Sequence, residues 1–552
     1  MRKLITVSVL AALAAGSGCR KKESAPTAPA AVSSDVLAGY HFVGTAPLAN
    51  NSNAAKLREI WALPETRKFE EQTLQKLAHA PKVFYGGSIN AEQDERGAAL
   101  LRPLLDDLIR SESFLQVRGP GIKQAEWTLL AQLPPDRLKA WSAALSELTR
   151  VWNLGAPTAS ALEGFAASEV RSSATPNLLR WVEAGQWFVL GVGQDNLPAV
   201  VEAARQIKAG GRPIPTLTTN WLETELNLPR LGAALDLSDA IKSPHAKLTI
   251  AGDGENLRSK IRMVFPEPVT GPLDPWQIPT NIINEPLISF TAARGISPWL
   301  NNCAMLQQLE LTPAPNELFF WAQGHITFQS FVAFPLKDAA VKLERAGHRA
   351  SSLFGTNWQS RGLTQIAWQT NNQQLLWRLP YAAPFLKPAA FKGRELVLGG
   401  LFPPSPLTNP PPAELLSQLT SQPKLVYYDW EITQTRLTSW RVLAQLFAMI
   451  AGKSQFTTNT AGLPWMIAVE PKLGNTATEI TADSPAEWSL VRKSHIGFTG
   501  IELVALARWL ESTNFPKLSF ELPPERPVQA ASTPPSPSAN APAAPAKKPP
   551  DN

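Results

Sequence analysis

Short apolar runs alternate with longer amphipathic segments through the middle of the chain. Apolar residues recur at helical spacing from Asp94 to Ile109 and from Pro135 to Val151, which predicts two helices. Asp253-Gly254 stands between two strand-like runs and is a hairpin signal, so we expect largely antiparallel pairing. Seven runs rich in β-branched and aromatic residues predict strands, namely AEWTLLAQL, AKLTIA, SKIRMVF, ELFFWAQG, TFQSFVAF, KLVYYDWEI and KLSFEL.

The order of these segments repeats along the chain. FLQVRG at residues 114–119 has a counterpart, FFWAQG, 205 residues later, and the strands that follow end at Pro134 and Pro335. WFVLGVG at residues 187–193 matches ELVLGGL at an offset of 208 residues, and each of the two leads into a predicted helix. A single match of this kind carries no weight, but the common order predicts an internal duplication.

The later segments of each copy keep the same order. WLETELNLPRL matches YYDWEITQTRL, so that Arg230 and Arg436 are 206 residues apart. The closing hairpins place Asp253 and Asp483 230 residues apart. The larger offset predicts an added helix near residues 437–463 in the second copy only.

The predicted fold class is α+β, with two similar halves. Residues 36–285 and 286–522 are assigned to the halves, and these 487 positions are enough for more than one core. We expect each half to be a largely antiparallel sheet with helices packed on one face.

The stretch QWFVLGVGQDN, residues 186–196, has the outline of a phosphate-binding loop because a strand runs through glycines into a helix. The third glycine of the dinucleotide fingerprint is missing, and Pro198 stands at the helix start. The matching turn of the second half, Gly399-Gly400, runs into a proline-rich segment. We therefore interpret both stretches as turns and predict no cofactor.

The two ends of the chain indicate export. Arg2 and Lys3 precede an uncharged run, and small residues stand before Cys19, which is the layout of a secretory signal. Here the chain resembles bacterial lipoprotein precursors, with Gly16 where that class usually has Leu. The resemblance implies that residues 1–18 are removed and that Cys19 receives acyl chains such as palmitate. Plain signal cleavage with an incidental cysteine is the alternative.

Two further segments are too poor in large apolar residues to fold. Residues 19–35 are predicted to be a disordered tether, and residues 523–552, with ten prolines, a disordered tail. The formal net charge is +6, but residues 36–522 hold 44 Lys and Arg against 42 Asp and Glu. Without a basic run in the body, we predict no nucleic-acid partner.

Candidate chemistry in the body is sparse. No two of the six histidines have metal-ligand spacing, so we assign no metal site and no catalytic residue. Glu223 and Glu225 alternate with leucines on a predicted strand; paired catalytic acids would look like this, but so would an exposed strand face, which we prefer. Tryptophan is abundant, with 18 residues. Core packing is the expected role of most of them, and four are candidates for stacking on a ligand: Trp187, Trp221, Trp321 and Trp430.

The sequence therefore predicts an exported cell-envelope protein, held to a membrane by its N-terminal lipid and facing the periplasm or exterior. The expected role is non-catalytic binding or scaffolding, with cell-wall or envelope proteins as partners. An envelope hydrolase, glycan-directed and with its site between the halves, is one alternative, and a carrier of an apolar ligand is another. Clustered acids in a cleft would favour the hydrolase, and a dry aromatic cavity would favour the carrier. The oligomeric state is left open.

Overall fold

The computed structural model describes residues 36–517 apart from 50, 86–88, 122–123, 172–176, 195, 214–218, 232–242, 325–327, 360–365, 378–382, 403, 405–408 and 451–459. The predicted signal, tether and tail lie outside the described residues, as does Cys19. The predicted strand KLSFEL also lies outside them, except for Lys517.

The strands of the described part belong to one antiparallel sheet of 20 strands. They are β1 Val36–Phe42, β2 Ser113–Arg118, β3 Glu126–Gln132, β4 Thr158–Leu162, β5 Phe165–Arg171, β6 Leu178–Ala184, β7 Trp187–Gly193, β8 Leu222–Asn227, β9 His245–Asp253, β10 Asn256–Val264, β11 Leu287–Arg294, β12 Glu317–Gln323, β13 Ser330–Pro335, β14 Ile366–Gln369, β15 Gln374–Trp377, β16 Phe385–Phe391, β17 Arg394–Gly400, β18 Leu425–Ile432, β19 Asn475–Ser484 and β20 Glu487–Ser494.

The described part also contains 15 helices, which confirms the α+β class. They are α1 Thr45–Leu48, α2 Ala55–Trp61, α3 Pro64–Ala78, α4 Ala80–Tyr85, α5 Ala91–Arg110, α6 Pro135–Val151, α7 Pro198–Gly210, α8 Leu228–Leu231, α9 Ser297–Leu300, α10 Ala304–Gln308, α11 Ala339–Gln359, α12 Ala413–Thr420, α13 Thr433–Ile450, α14 Gly462–Val469 and α15 Gly500–Glu511. Two of them, α5 and α6, are the helices that the apolar spacing predicts.

The strand pairings give one linear order across the sheet. It runs β4-β5-β6-β7-β3-β2-β1-β8-β9-β10-β20-β19-β18-β11-β12-β13-β17-β16-β15-β14. The predicted hairpin at Asp253-Gly254 is confirmed, because Asp253 pairs with Asn256 across a two-residue turn. Strands β10 and β20 join the two halves in the middle of the sheet.

The ten strands of each half occur in the same order. The first half reads 4-5-6-7-3-2-1-8-9-10, and adding ten to each number gives the second half read from the opposite edge. The first strand of each half also carries a bulge, at Leu37 in β1 and at Ile288 in β11. This shared order supports the internal duplication, which stays a prediction until the halves are superposed.

The expectation that helices pack on one face is wrong, because they cover both faces. Phe188 of β7 packs with Trp141 of α6, whereas its neighbour Val189 belongs to the core that includes Val200 of α7. Successive residues of a strand point to opposite faces, so α6 and α7 lie on opposite sides of the sheet. The second half does the same through α11 and α12.

The equivalence of glycines differs by one residue from the sequence alignment. Counted through the ladders, Val189 occupies the place of Leu398, an offset of 209 rather than 208 residues. Gly191 is therefore matched by Gly400 and not by Gly399. A shift of one residue along a strand exchanges the two faces, so only the odd offset puts core residues on the same face.

The helices at the middle of the chain are larger in the second half. Helices α13 and α14 follow β18, whereas α8, with four residues, follows β8. The place where a counterpart of α13 would continue in the first half falls on residues 232–242, outside the described residues.

Both halves contribute to one of the cores. Ile60 of α2 and Phe69 of α3 pack with Leu437, Trp465 and Leu503 from α13, α14 and α15. Helices from the two ends of the chain thus cover the middle of the sheet together. Among the described residues, no helix has the length and apolar character needed to cross a membrane.

Candidate functional site

A glutamate that holds two other side chains lies on the β1–β2 surface of the first half. Glu112, just before β2, accepts a hydrogen bond from Arg212 at 2.6 Å and contacts His41 Nε2 at 2.9 Å, both through Oε1. The His41 ring stacks on Phe114, with ring centroids 4.1 Å apart. Burial raises the pKa of Glu112, but the hydrogen bond from His41 and the charge of Arg212 outweigh burial, so the pKa lies below its ordinary value.

His41 lines two cavities. The first, of about 590 Å³, lies where β1, α5, α6 and the β6–β7 turn meet. Its polar walls are His41, Arg110, Ser111, Glu112, Gln132, Gln186 and Arg212, and its apolar walls are Val43, Ala46, Pro47, Leu133, Pro134 and Pro135. We call it the arginine cavity.

The second cavity, of about 500 Å³, lies beside α7. The strands β1, β2, β8 and β9 form its floor, and Ala199, Glu202, Ala203 and Gln206 of α7 form one wall. Three carboxylates and two cations line it: Glu202, Glu223, Glu225, Arg118 and Lys247. We call it the acidic cavity. Both volumes fall in the range of small-molecule sites, roughly 300–1,000 Å³.

The same place in the second half is filled. In the first half Gly39 lies between Gln116 and Glu225, its partners on β2 and β8. Counted from the bulges, the matching row is Trp321, Phe290 and Trp430. Trp321 and Phe290 are buried, and Trp430 packs against the core that contains them. A glycine, an amide and a carboxylate thus stand where the second half has three aromatic rings.

The two acids that the sequence places on an exposed face line the acidic cavity instead. Glu223 and Glu225 are both half-buried, because α7 rises beside their strand. Glu225 contacts His245 Nε2 at 2.8 Å and Lys247 Nζ at 3.4 Å. Asn220 donates a hydrogen bond to Glu223 at 2.7 Å.

The glycine turn before α7 brings a carboxylate, not a phosphate site, to the helix start. Glu126 of β3 accepts hydrogen bonds from the backbone N–H groups of Ala199 and Val200, at 3.0 and 3.1 Å. A helix N-terminus attracts anions, and here the protein supplies its own. Gly191 serves packing, since a Cβ there would lie 2.2 Å from Val200 Cγ2.

The four candidate stacking tryptophans lie in packed surroundings. Trp187, Trp221 and Trp321 are buried, and Trp430 is half-buried. Trp187 donates its Nε1–H to the backbone oxygen of Gly211 at 3.1 Å. None of the four lines either cavity, so a ligand would have to rearrange the core to stack on them.

Among the described residues, one group could hold a metal ion: His79, Asp94 and Glu95. The Lys82 ammonium already lies 3.1 Å from Asp94 Oδ2, and His79 Nδ1 lies 3.2 Å from the same oxygen. A neighbouring ammonium competes with a cation for that carboxylate, so we assign no metal to this group.

The second half buries a pair of acids on one face of β18. Asp429 accepts a hydrogen bond from Thr291 at 2.6 Å, and Glu431 accepts one from the Gly500 N–H at 2.7 Å. Burial, with the charge of Asp429 added, raises the pKa of Glu431 to about 7. Arg436 is buried nearby and its charge partly offsets this shift. These contacts hold α15 and the start of α13 against the sheet.

Sequence reasoning missed the Glu112 cluster and both cavities. Glu112 meets His41 across 71 residues and Arg212 across 100 residues, so no local motif joins them. The available signal was the repeat itself, because aligning the halves sets Gly39 and Gln116 against aromatic residues.

Comparison of the chain with protein-family models, with curated proteins and with solved structures finds no match.

Proposed function

We propose that this chain is an exported, lipid-anchored protein of the bacterial cell envelope that binds a small polar ligand in its first half without catalysing a reaction. The observation that carries the proposal is the contrast between the halves. At matching places, the second half is packed with Phe290, Trp321 and Trp430, while the first half leaves an open cavity at Gly39. Packing a core is the default for a folded chain, so an unfilled place with polar walls favours a ligand.

We also propose that the two halves arose by duplication, and that the first kept or gained a binding site. The shared strand order and the bulges at Leu37 and Ile288 support this. Under duplication, the aromatic fill of the second half and the cavity of the first are alternatives for one structural position.

The walls of the cavities favour binding over the two other functions. A carrier of apolar ligands needs an apolar cavity, whereas charged residues line both cavities here. A hydrolase needs a carboxylic acid that can give up a proton near neutral pH. Glu225 instead lies against His245 and Lys247, and Glu202 against Arg118 at 2.8 Å. These ion pairs favour the charged form of each carboxylate.

Filling the acidic cavity tests the proposal. The mature protein is screened for stabilisation by pools of short peptides, saccharides, nucleosides and polyamines, and native mass spectrometry is used to detect a co-purified compound. The variant Gly39→Phe with Gln116→Trp restores the aromatic pattern of the second half. Ala203→Leu fills the cavity from α7 in case the double variant unfolds.

Wild type is expected to bind at least one polar compound, and each filled variant that stays folded is expected to lose it. Thermal unfolding of the ligand-free variants checks their fold. Binding that survives filling would place the ligand elsewhere, and a wild type that binds no compound at millimolar concentration would contradict the proposal.

A further inference from the structure

We propose that the arginine cavity and the acidic cavity together hold an extended zwitterionic peptide of about three residues. Its carboxylate would lie at Arg110 and Arg212, and its ammonium at Glu223 and Glu225. This inference rests on the proposed function, because it names the ligand class of the same site.

The arginine cavity has an excess of positive charge. Arg110 and Arg212 face a single carboxylate, Glu112, which Arg212 shares with His41. The Nε–H of Arg212 is buried and has no hydrogen-bond partner. Arg110 is exposed at the end of α5 and forms no ion pair with another described residue. Guanidinium groups bind carboxylates through paired hydrogen bonds, so this end suits the C-terminus of a peptide.

The acidic cavity has the opposite excess. Glu202, Glu223 and Glu225 line it against Arg118 and Lys247, so carboxylates outnumber the fixed cations. The contacts with Arg118 and Lys247 draw on Glu202 and Glu225, at 2.8 and 3.4 Å. One unit of negative charge remains for an incoming cation, which suits the ammonium of a peptide N-terminus.

The spacing of the two ends sets the length of the ligand. Glu225 pairs with Gly39, and Phe42 pairs with Ser113, the residue after Glu112. Gly39 and Phe42 are three residues apart along β1, which is about 10 Å at ~3.3 Å per residue. Three residues of an extended peptide span about the same distance.

His41 lies between the two ends and offers a contact to the peptide backbone. Its Nε2 faces Glu112, so in the neutral ring Nε2–H donates to that carboxylate and Nδ1 is an acceptor. Nδ1 has no hydrogen-bond partner within the described chain. A peptide N–H above the ring can donate to it.

Isothermal titration of the mature protein with four probes tests the inference. The probes are Ala-Ala-Ala, its N-acetyl derivative, its C-terminal amide, and a neutral trisaccharide of N-acetylglucosamine. Wild type is expected to bind the free tripeptide, and each capped form is expected to bind about tenfold more weakly or worse, because one charge-assisted contact is lost. Capped peptides that bind as tightly as the free peptide would overturn the inference.

Two charge variants assign the ends. Arg212→Gln should weaken binding of the free peptide but leave the affinity for the amide unchanged. Glu225→Gln should weaken binding of the free peptide but leave the affinity for the acetylated peptide unchanged. A merely structural loss would weaken all ligands alike. Arg205→Gln is the matched control, because Arg205 lies on the same helix, is 66% exposed and pairs with Glu163.

The outcomes separate this inference from the proposed function. Binding of the trisaccharide but not the tripeptide, with loss in the filled variants, overturns the peptide while the polar site stands. Absence of binding for every compound in the screen overturns both.

Discussion

Lys260 of β10 and Val491 of β20 pair directly across the ladder that joins the two halves. Each is the fifth residue of its strand, and each strand follows a two-residue turn. If the halves are copies, these two residues are equivalents that face each other. An antiparallel pair of equivalent residues lies on a two-fold axis.

This pairing predicts that a rotation of close to 180° about an axis through Lys260 and Val491 superposes the halves. An experimental structure should place β1–β10 on β11–β20, with Gly39 on Phe290 and Gly191 on Gly400. Superposition with a different strand order, or a rotation far from 180°, would show that the likeness of the halves is accidental.

The first residues predict lipidation of Cys19. Mass spectrometry of the protein from its native host is expected to show a diacylglyceryl group on an N-terminal Cys19. Cys19→Ser should release the protein from the membrane fraction, since acyl chains supply the anchorage. An unmodified N-terminus at another residue would rule out the anchor, while export could still hold.

Gly191 predicts a packing defect when a methyl group is added. In Gly191→Ala the new Cβ would lie 2.2 Å from Val200 Cγ2, so α7 must shift from β7. We expect the free energy of unfolding to fall by about 1–3 kcal/mol in urea denaturation. Gly210→Ala is the matched control, because nothing lies within 4 Å of its Cβ. Equal stability of the two variants would contradict the packing role.

Glu431 predicts a pH-dependent contribution to stability. Its pKa in the folded state is about 7, above the unfolded value of 4.5, so the folded chain holds the proton more tightly. This contribution is present at low pH and is lost as the pH rises from 4.5 to 7. Glu431→Gln keeps an oxygen acceptor for Gly500 and carries no charge at any pH.

Relative to Glu431→Gln, wild type should therefore lose about 1–3 kcal/mol of stability between pH 5 and pH 8. Denaturation at a series of pH values measures the difference. Glu414→Gln, at an exposed position of α12, should show no such trend. A wild-type curve parallel to that of Glu431→Gln would mean that the buried carboxyl does not titrate in this range.

Strands and helices could be predicted where the local pattern decides the structure. KLVYYDWEI contains β18, ELFFWAQG contains β12, and the amphipathic run from Pro135 to Val151 is α6. The faces of the strands could not be predicted, because an alignment tolerates a slip of one residue and a sheet does not. Bulges and cross-strand partners set that register, and these are contacts between distant parts of the chain.

The candidate site could not be predicted for the same reason. Glu126 reaches the start of α7 across 73 residues, and its role depends on the pairing of β3 with β7. His41 stands alone in its sequence neighbourhood, and only the ladder of β1 with β2 brings it beside Phe114. Composition gave no signal either, since the abundant tryptophans mostly fill cores.

The linear order of the sheet has a consequence for self-association. An open sheet ends in two edge strands with unpaired N–H and C=O groups, and another molecule can add a strand there. In the described part these edges are β4, with five residues, and β14, with four. Strands this short offer few hydrogen bonds to a second chain, so a crowded layer of such molecules would resist growing into fibres through its edges.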